Sequence, residues 1–171
     1  VFRFLSERHQ QAIAFTVRNE LRSMAKAIPV LEIFGPTIQG EGMVIGQKTM
    51  FIRTAGCDYS CSWCDSAFTW DGSAKQQVRQ MAPEEIWNEL VEIGGENFSH
   101  VTISGGNPVL LKNIQFLLTV LKENGIRTAI ETQGSKWQEW LLQIEEVTIS
   151  PKPPSAPVAA WINKPNTENT L

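Results

Sequence analysis

The sequence predicts an α/β fold built around a parallel sheet. Strand-like and helix-like patterns alternate from about residue 49 to residue 150, and parallel strands need helical crossovers between them. The chemically informative residues fall where those strands end, which is where open α/β sheets and barrels hold their ligands. The composition, 42% hydrophobic and 19% charged over 171 residues, is that of an ordinary globular chain with one domain's worth of core.

Taken in order, residues 6–27 are expected to be helical. Ile13, Val17, Leu21 and Met24 recur at helical spacing behind Ser6 as an N-cap. From Pro29 the character changes: residues 30–34 read as a short strand, 35–46 as a glycine-rich stretch, and 49–54 as a second strand carrying Met50, Phe51 and Ile52. A cysteine loop follows. Pro83, Glu84 and Glu85 suit the first turn of a helix, with Ile86, Leu90 and Ile93 as its buried face and Gly94-Gly95 as its stop. Residues 100–104 form a strand leading into Gly105-Gly106-Asn107-Pro108. A helix spans 110–123, stopped by Asn124-Gly125. Then come a strand at 126–131, a helix at 137–144 and a strand at 147–150. Trp137 and Trp140 are read as packing residues of that last helix. No internal repeat is visible, and residues 153–171, rich in Pro, Asn and Thr, read as loop or tail.

A net charge of -3 gives no electrostatic grip on nucleic acid or an anionic membrane. No apolar run is long enough to span a bilayer, and the N-terminal segment has no apolar h-region of a secretory signal. A cytoplasmic location is expected.

The strand ends carry Arg53 with the cysteine loop, Ser104-Gly105-Gly106, Glu131-Thr132 and Ser150-Pro151-Lys152. All three cysteines, Cys57, Cys61 and Cys64, lie in that one loop with C-x3-C-x2-C spacing, a poor disulfide framework. Three thiolates on a short loop can ligate three irons of a [4Fe–4S] cube and leave the fourth open to chelate a small molecule. Three other readings stay open on spacing alone. One is a structural zinc site, which wants four ligands and would draw on Asp58 or Asp65, since neither His9 nor His100 has ligand spacing to the loop. Another is a redox pair, Cys61 with Cys64, which leaves Cys57 unexplained. The last is three unrelated buried cysteines.

The cysteine loop after a strand, Gln39-Gly40-Glu41-Gly42 before it, Arg53 four residues ahead of Cys57, and Cys64-Asp65-Ser66 together resemble the 7-carboxy-7-deazaguanine synthases of the radical S-adenosylmethionine (SAM) superfamily. The resemblance runs from about Met24 to Pro154. It implies an incomplete radical SAM (β/α) barrel over residues 24–155, between an N-terminal extension at 1–23 and an irregular tail at 156–171. It also implies ring contraction of 6-carboxy-5,6,7,8-tetrahydropterin to 7-carboxy-7-deazaguanine with loss of ammonia, a step toward queuosine. The cofactors implied are a [4Fe–4S] cluster, SAM and Mg2+, and the implied partners are a flavodoxin-type electron donor and a second copy in a homodimer. A cluster- or zinc-binding module without catalysis is the alternative.

Residue by residue, Cys57, Cys61 and Cys64 match the cluster ligands and Ser66 the magnesium ligand. Ile38, Gln39, Gly40, Glu41, Arg53 and Ser104 match substrate-binding positions; a guanidinium at 53 suits a carboxylate. Trp63, Cys64, Asp65, Gly105, Gly106, Ser150, Pro151 and Lys152 match positions around SAM. Glu131-Thr132-Gln133-Gly134 resembles a family segment whose role is left open.

The match has three departures. Asn107 stands where an acidic residue is common, and its amide oxygen is expected to accept from the methionyl ammonium instead. Residues 1–23 precede a natural-looking start at Met24. The chain also stops before the further βα elements of the family, so a truncated form with an exposed sheet edge, low stability and weak or no turnover is expected.

Overall fold

The computed structural model describes residues 26–152. Apart from residues 26 and 27, the helix expected at 6–27 lies outside that range, as does the tail from 153. The strands are β1 (Ile28–Ile38), β2 (Lys48–Thr54), β3 (Arg79–Met81), β4 (His100–Gly105), β5 (Arg127–Thr132) and β6 (Glu146–Ile149). They form one sheet in the order β3-β1-β2-β4-β5-β6.

The α/β class and the parallel sheet hold for β2, β4, β5 and β6, which pair in parallel register. Two additions were not legible in the alternation. β1 pairs with β2 antiparallel as a long hairpin, and the short β3 pairs antiparallel with β1 at the far edge. A hairpin needs only a connecting loop, so no helix intervenes between β1 and β2 to mark the pairing.

Helix α1 (Pro83–Gly94) begins as expected. Pro83 sits at the first turn, and the Glu85 carboxylate accepts the Ala82 backbone N–H at 2.7 Å, which satisfies one orphan donor of the helix start. Gly95, at φ 59°, ends it. Ile86 and Leu90 are fully buried, but Ile93 is 43% exposed, a correction to the expected buried face. Ile93 lies three residues after Leu90, on the margin of a stripe already filled by Ile86 and Leu90.

Helix α2 (Ile114–Glu123) starts four residues later than its expected bound. A 3-10 turn, Pro108–Leu110, comes first, and the α-helix begins only at Ile114. The helix expected at 137–144 is a 3-10 turn, Glu139–Gln143. Trp140 packs into the core as expected, whereas Trp137 is 61% exposed. With only one short turn formed, positions 137 and 140 do not share a helical face.

Alternation along the strands separates two environments. Met50 and Ile52 of β2, Val101 and Ile103 of β4 and Ile130 of β5 point into one core with Ile86, Leu90, Ile114, Leu117 and Leu121 of the helices, all fully buried. Each such side chain contributes about 1.5–3 kcal/mol on burial. The intervening residues Phe51 and Arg53 of β2, and Ser104 of β4, line a cavity instead. The β1–β2 connection folds across that cavity. Its 3-10 turn Gly42–Val44 reaches β6, where the Met43 N–H donates to Thr148 Oγ1 at 3.2 Å. A side chain on Gly42 would collide with Thr148.

Candidate functional site

The register of the sheet builds a polar row across its cavity face. Glu32 pairs with Arg53, Arg53 with Ser104, and Glu131 with Thr148; cross-strand partners project to the same side. Ser104 Oγ joins the two halves by donating to Glu131 Oε2 at 2.6 Å, and Gln39 Nε2 donates to Glu131 Oε1 at 2.6 Å. Both oxygens of this carboxylate are thus fixed from opposite sides.

Arg53 occupies the middle of the row. Its Nε lies 2.9 Å from Glu32 Oε1, an ion pair without hydrogen-bond geometry. The Phe34 and Phe68 rings flank the guanidinium at 5.6 and 5.4 Å, and Phe34 itself stacks on Phe51 with ring centres 4.9 Å apart. A guanidinium held between rings is oriented without being consumed by a bidentate partner.

The cavity measures about 610 Å³, within the range of small-molecule sites. It brings together Ile38, Gln39, Gly40, Glu41, Arg53 and Ser104 with Cys57, Cys61, Trp63, Cys64, Asp65, Ser66, Gly105, Gly106, Ser150 and Lys152. Of the expected site residues, Pro151 and Asn107 are not part of the lining. Pro151, beside it in sequence, is exposed, while Lys152 Nζ turns back to donate to Ser150 Oγ at 3.0 Å.

The cysteine loop forms one wall. All three thiols are free, with Cys57 and Cys61 buried and Cys64 partly exposed. N–H groups are aimed at two of the sulfurs: Trp70 Nε1 at Cys64 Sγ (3.4 Å), and both the Tyr59 backbone N–H and Gln133 Nε2 at Cys57 Sγ (3.5 Å each). Burial pushes the Cys57 thiol up. The Tyr59 and Gln133 donors oppose that rise, and the charges of Asp58 and Cys61 add to it. Metal binding deprotonates such a thiol outright. Three sulfurs on one cavity wall, with N–H donors toward two of them, fit a cluster, whose potential is set in part by hydrogen bonds to its sulfurs. Among the described residues, no three His, Cys, Asp or Glu side chains form a group able to hold a single metal ion. Ser66 Oγ donates to Asp65 Oδ1 at 2.9 Å, so the two oxygens face the cavity as neighbours.

Asn107 is a correction. It is fully buried and absent from the lining, and its Oδ1 accepts from Thr132 Oγ1 at 2.8 Å. That oxygen is taken by the protein itself, so it does not face a ligand ammonium. The glycines before it have a packing reason as well. A side chain on Gly105 would strike the Thr54 backbone, and one on Gly106 the Gly56 carbonyl, because the ends of β2 and β4 lie against each other there.

Sequence reasoning left Glu131 and Gln133 without a role and did not single out Trp70 for the site. Their place at a strand end and in the loop after the cysteines was the available signal. No helix among the described residues is long and apolar enough to cross a membrane.

Comparison with known proteins agrees with this geometry. The family described as the radical SAM superfamily matches residues 51–155. The 7-carboxy-7-deazaguanine synthase of Bacillus cereus is 87% identical over 129 residues, covering 75% of this chain and 54% of that protein. That of Bacillus subtilis is 69% identical over 141 residues, covering 82% and 58%. The crystal structure of QueE from Escherichia coli superposes with a TM-score of 0.61 at 28% identity, covering 81% of this chain and 67% of that one. The chain therefore spans a little over half the length of these two sequence relatives.

Proposed function

This chain belongs to the radical SAM superfamily, and from that membership we propose that it contracts 6-carboxy-5,6,7,8-tetrahydropterin to 7-carboxy-7-deazaguanine with release of ammonia. The observation that carries this reading is the juxtaposition of Arg53, Ser104 and Glu131 with the cysteine loop around one cavity. The high identity to two synthases of that name supports it.

Cys57, Cys61 and Cys64 would hold the [4Fe–4S] cluster, which with SAM bound supplies a 5′-deoxyadenosyl radical. The chain's own residues do the rest. Arg53, its guanidinium against the Phe34 and Phe68 rings, binds the pterin's carboxylate as a fork. Glu131 and Glu41 accept from the pterin's ring N–H and amino donors, Gln39 holds Glu131 in place, and Ile38 and Gly40 shape the ring pocket. Ser104 fixes the far oxygen of Glu131. Trp63, Asp65, Gly106, Ser150 and Lys152 surround the SAM moiety, with Pro151 stiffening the turn between the last two. Ser66 offers a hard oxygen to Mg2+, which takes few protein ligands and keeps its waters. Free thiols fit a reducing cytoplasm. A flavodoxin-type donor and a homodimer complete the proposal.

The test is anaerobic reconstitution with iron and sulfide, then reduction with SAM and 6-carboxytetrahydropterin. Formation of 7-carboxy-7-deazaguanine, lost in Arg53→Ala and in Cys61→Ala, is the expected result. A chain that binds iron and cleaves SAM without consuming the pterin overturns the substrate assignment. One that takes zinc in place of iron overturns the cluster.

A further inference from the structure

Asp58 stands next to Cys57 in the cysteine loop, and it is buried. A carboxylate removed from water needs donors, and two amide groups supply them: Asn107 Nδ2 donates to Asp58 Oδ1 at 2.8 Å and Gln133 Nε2 to the same oxygen at 2.5 Å. Neither donor comes from the cysteine loop. Asn107 follows β4 and Gln133 follows β5, so the carboxylate ties the loop after β2 to the ends of both neighbouring strands.

Asn107 uses every remaining group in the same way. Its backbone N–H donates to the Gly56 carbonyl at 2.7 Å, its Nδ2 also reaches Ser135 Oγ at 2.9 Å, and its Oδ1 takes the Thr132 hydroxyl at 2.8 Å. Fully buried and fully bonded, it is the hub of three loops that meet behind the sulfur of Cys57.

We propose that Asn107 is a positioning residue: by gripping Asp58 it holds the Cys57 end of the cysteine loop in its ligating conformation before any iron arrives. The amide is specific for this task. A carboxylate at 107 would set two acids against each other across a buried contact, whereas the amide presents a donor to Asp58 and an acceptor to Thr132 at once. The inference rests on the reading of the loop as a cluster site, but the contact it names exists without the cluster.

The test is therefore made on the iron-free full chain, by the rate at which iodoacetamide alkylates Cys57, with the more exposed Cys64 as internal reference. Asn107→Asp should raise the Cys57 rate by about tenfold or more, the factor that corresponds to losing one hydrogen bond to a charged group. The exchanged pair D58N/N107D restores a donor facing an acceptor and should return the rate to that of the unaltered chain. After reconstitution, iron content should run the opposite way, lowest in N107D and restored in the exchanged pair, and SAM affinity per loaded cluster should not tighten in N107D. Equal alkylation in N107D and the unaltered chain overturns the proposal, as does tighter SAM binding in N107D, which would make position 107 a ligand contact. Should N107D fail to fold, the exchanged pair decides alone: a folded protein with Cys57 still unprotected overturns the inference. Protection is read without substrate, so failure of the proposed reaction and failure of this inference are separate results.

Discussion

Ser104 and Glu131 face each other across β4 and β5 with 2.6 Å between the serine hydroxyl and Glu131 Oε2, while Gln39 holds the other oxygen at the same distance. The second contact spans 92 residues of sequence, so one carboxylate ties the β1–β2 loop to the floor of the cavity.

Glu131→Gln replaces one accepting oxygen with an NH2 group, which must then face the Ser104 hydroxyl or the Gln39 amide. The expected cost is about 1.5–3 kcal/mol, that of a hydrogen bond to a charged group, read in the denaturant midpoint. Amide exchange in residues 39–47 should quicken at the same time. Unchanged exchange in that loop would show that Gln39 is held by something else.

Much of the frame was legible because it depends on local pattern. The alternation of Met50 and Ile52 with Phe51 and Arg53 separates core from cavity, and Pro83 with Glu85 marks the start of α1. The residues of the expected site converge because βα units bring strand ends together, so reading strand ends amounts to reading the cavity. What stayed illegible depends on partners far along the chain. Nothing near Asn107 announces Asp58, 49 residues earlier, and nothing near Trp70 marks its bond to a sulfur. Trp137 and Trp140 have a helical spacing, but only Trp140 falls in the 3-10 turn at 139–143, so no helical face joins them.

Trp70→Phe removes the N–H that lies 3.4 Å from Cys64 Sγ while keeping an aromatic ring. A donor to sulfur favours the reduced, more negative cluster. The midpoint potential of the reconstituted protein should therefore fall in the variant, with iron content unchanged. Redox titration followed by EPR reads this directly, and an unmoved potential would place the indole bond outside the tuning of the cluster.

Gly106→Ala brings a methyl group against the Gly56 carbonyl, a backbone atom that cannot swing aside, and to 3.1 Å from Cys57 Cβ. Relief requires β2 and β4 to part at their ends. We expect a loss of stability of roughly 1–3 kcal/mol, the range of overpacked sites, together with a fall in iron content. Iron loading equal to that of the unaltered chain would show that the cysteine loop tolerates the displacement.

Leu117→Ala empties a fully buried position where α2 meets the sheet. The expected loss is about 2–5 kcal/mol, measured by urea unfolding at constant slope. Cavity residues lie on the other side of the sheet, so cysteine protection at temperatures where the variant stays folded should be unaltered.

The end of the sheet away from the cavity carries the pH dependence. His100 is fully buried, with Nδ1 2.8 Å from Thr49 Oγ1 and Nε2 3.6 Å from Glu146 Oε2, beyond a hydrogen bond. Burial holds the imidazole below its ordinary value; Glu146 and Glu145 pull the other way, and Arg127 reinforces the depression. The unfolded chain therefore binds a proton at His100 more readily than the folded one. This group's contribution is present above the unfolded value of about 6.5 and is lost as pH falls through it toward the lower folded value, by at most about 1.4 kcal/mol per pH unit. Melting of the full chain should accordingly drop between pH 7 and pH 5.5. His100→Gln, which keeps a polar partner for Thr49 and does not titrate, should melt lower at pH 7 but flatten that slope. An equally steep slope in His100→Gln would move the pH dependence to the carboxylates, among them Glu145. Burial works against the charge of Glu145, but the backbone N–H and hydroxyl of Thr128 hold its carboxyl below the usual range, so its loss falls at more acid pH than that of His100.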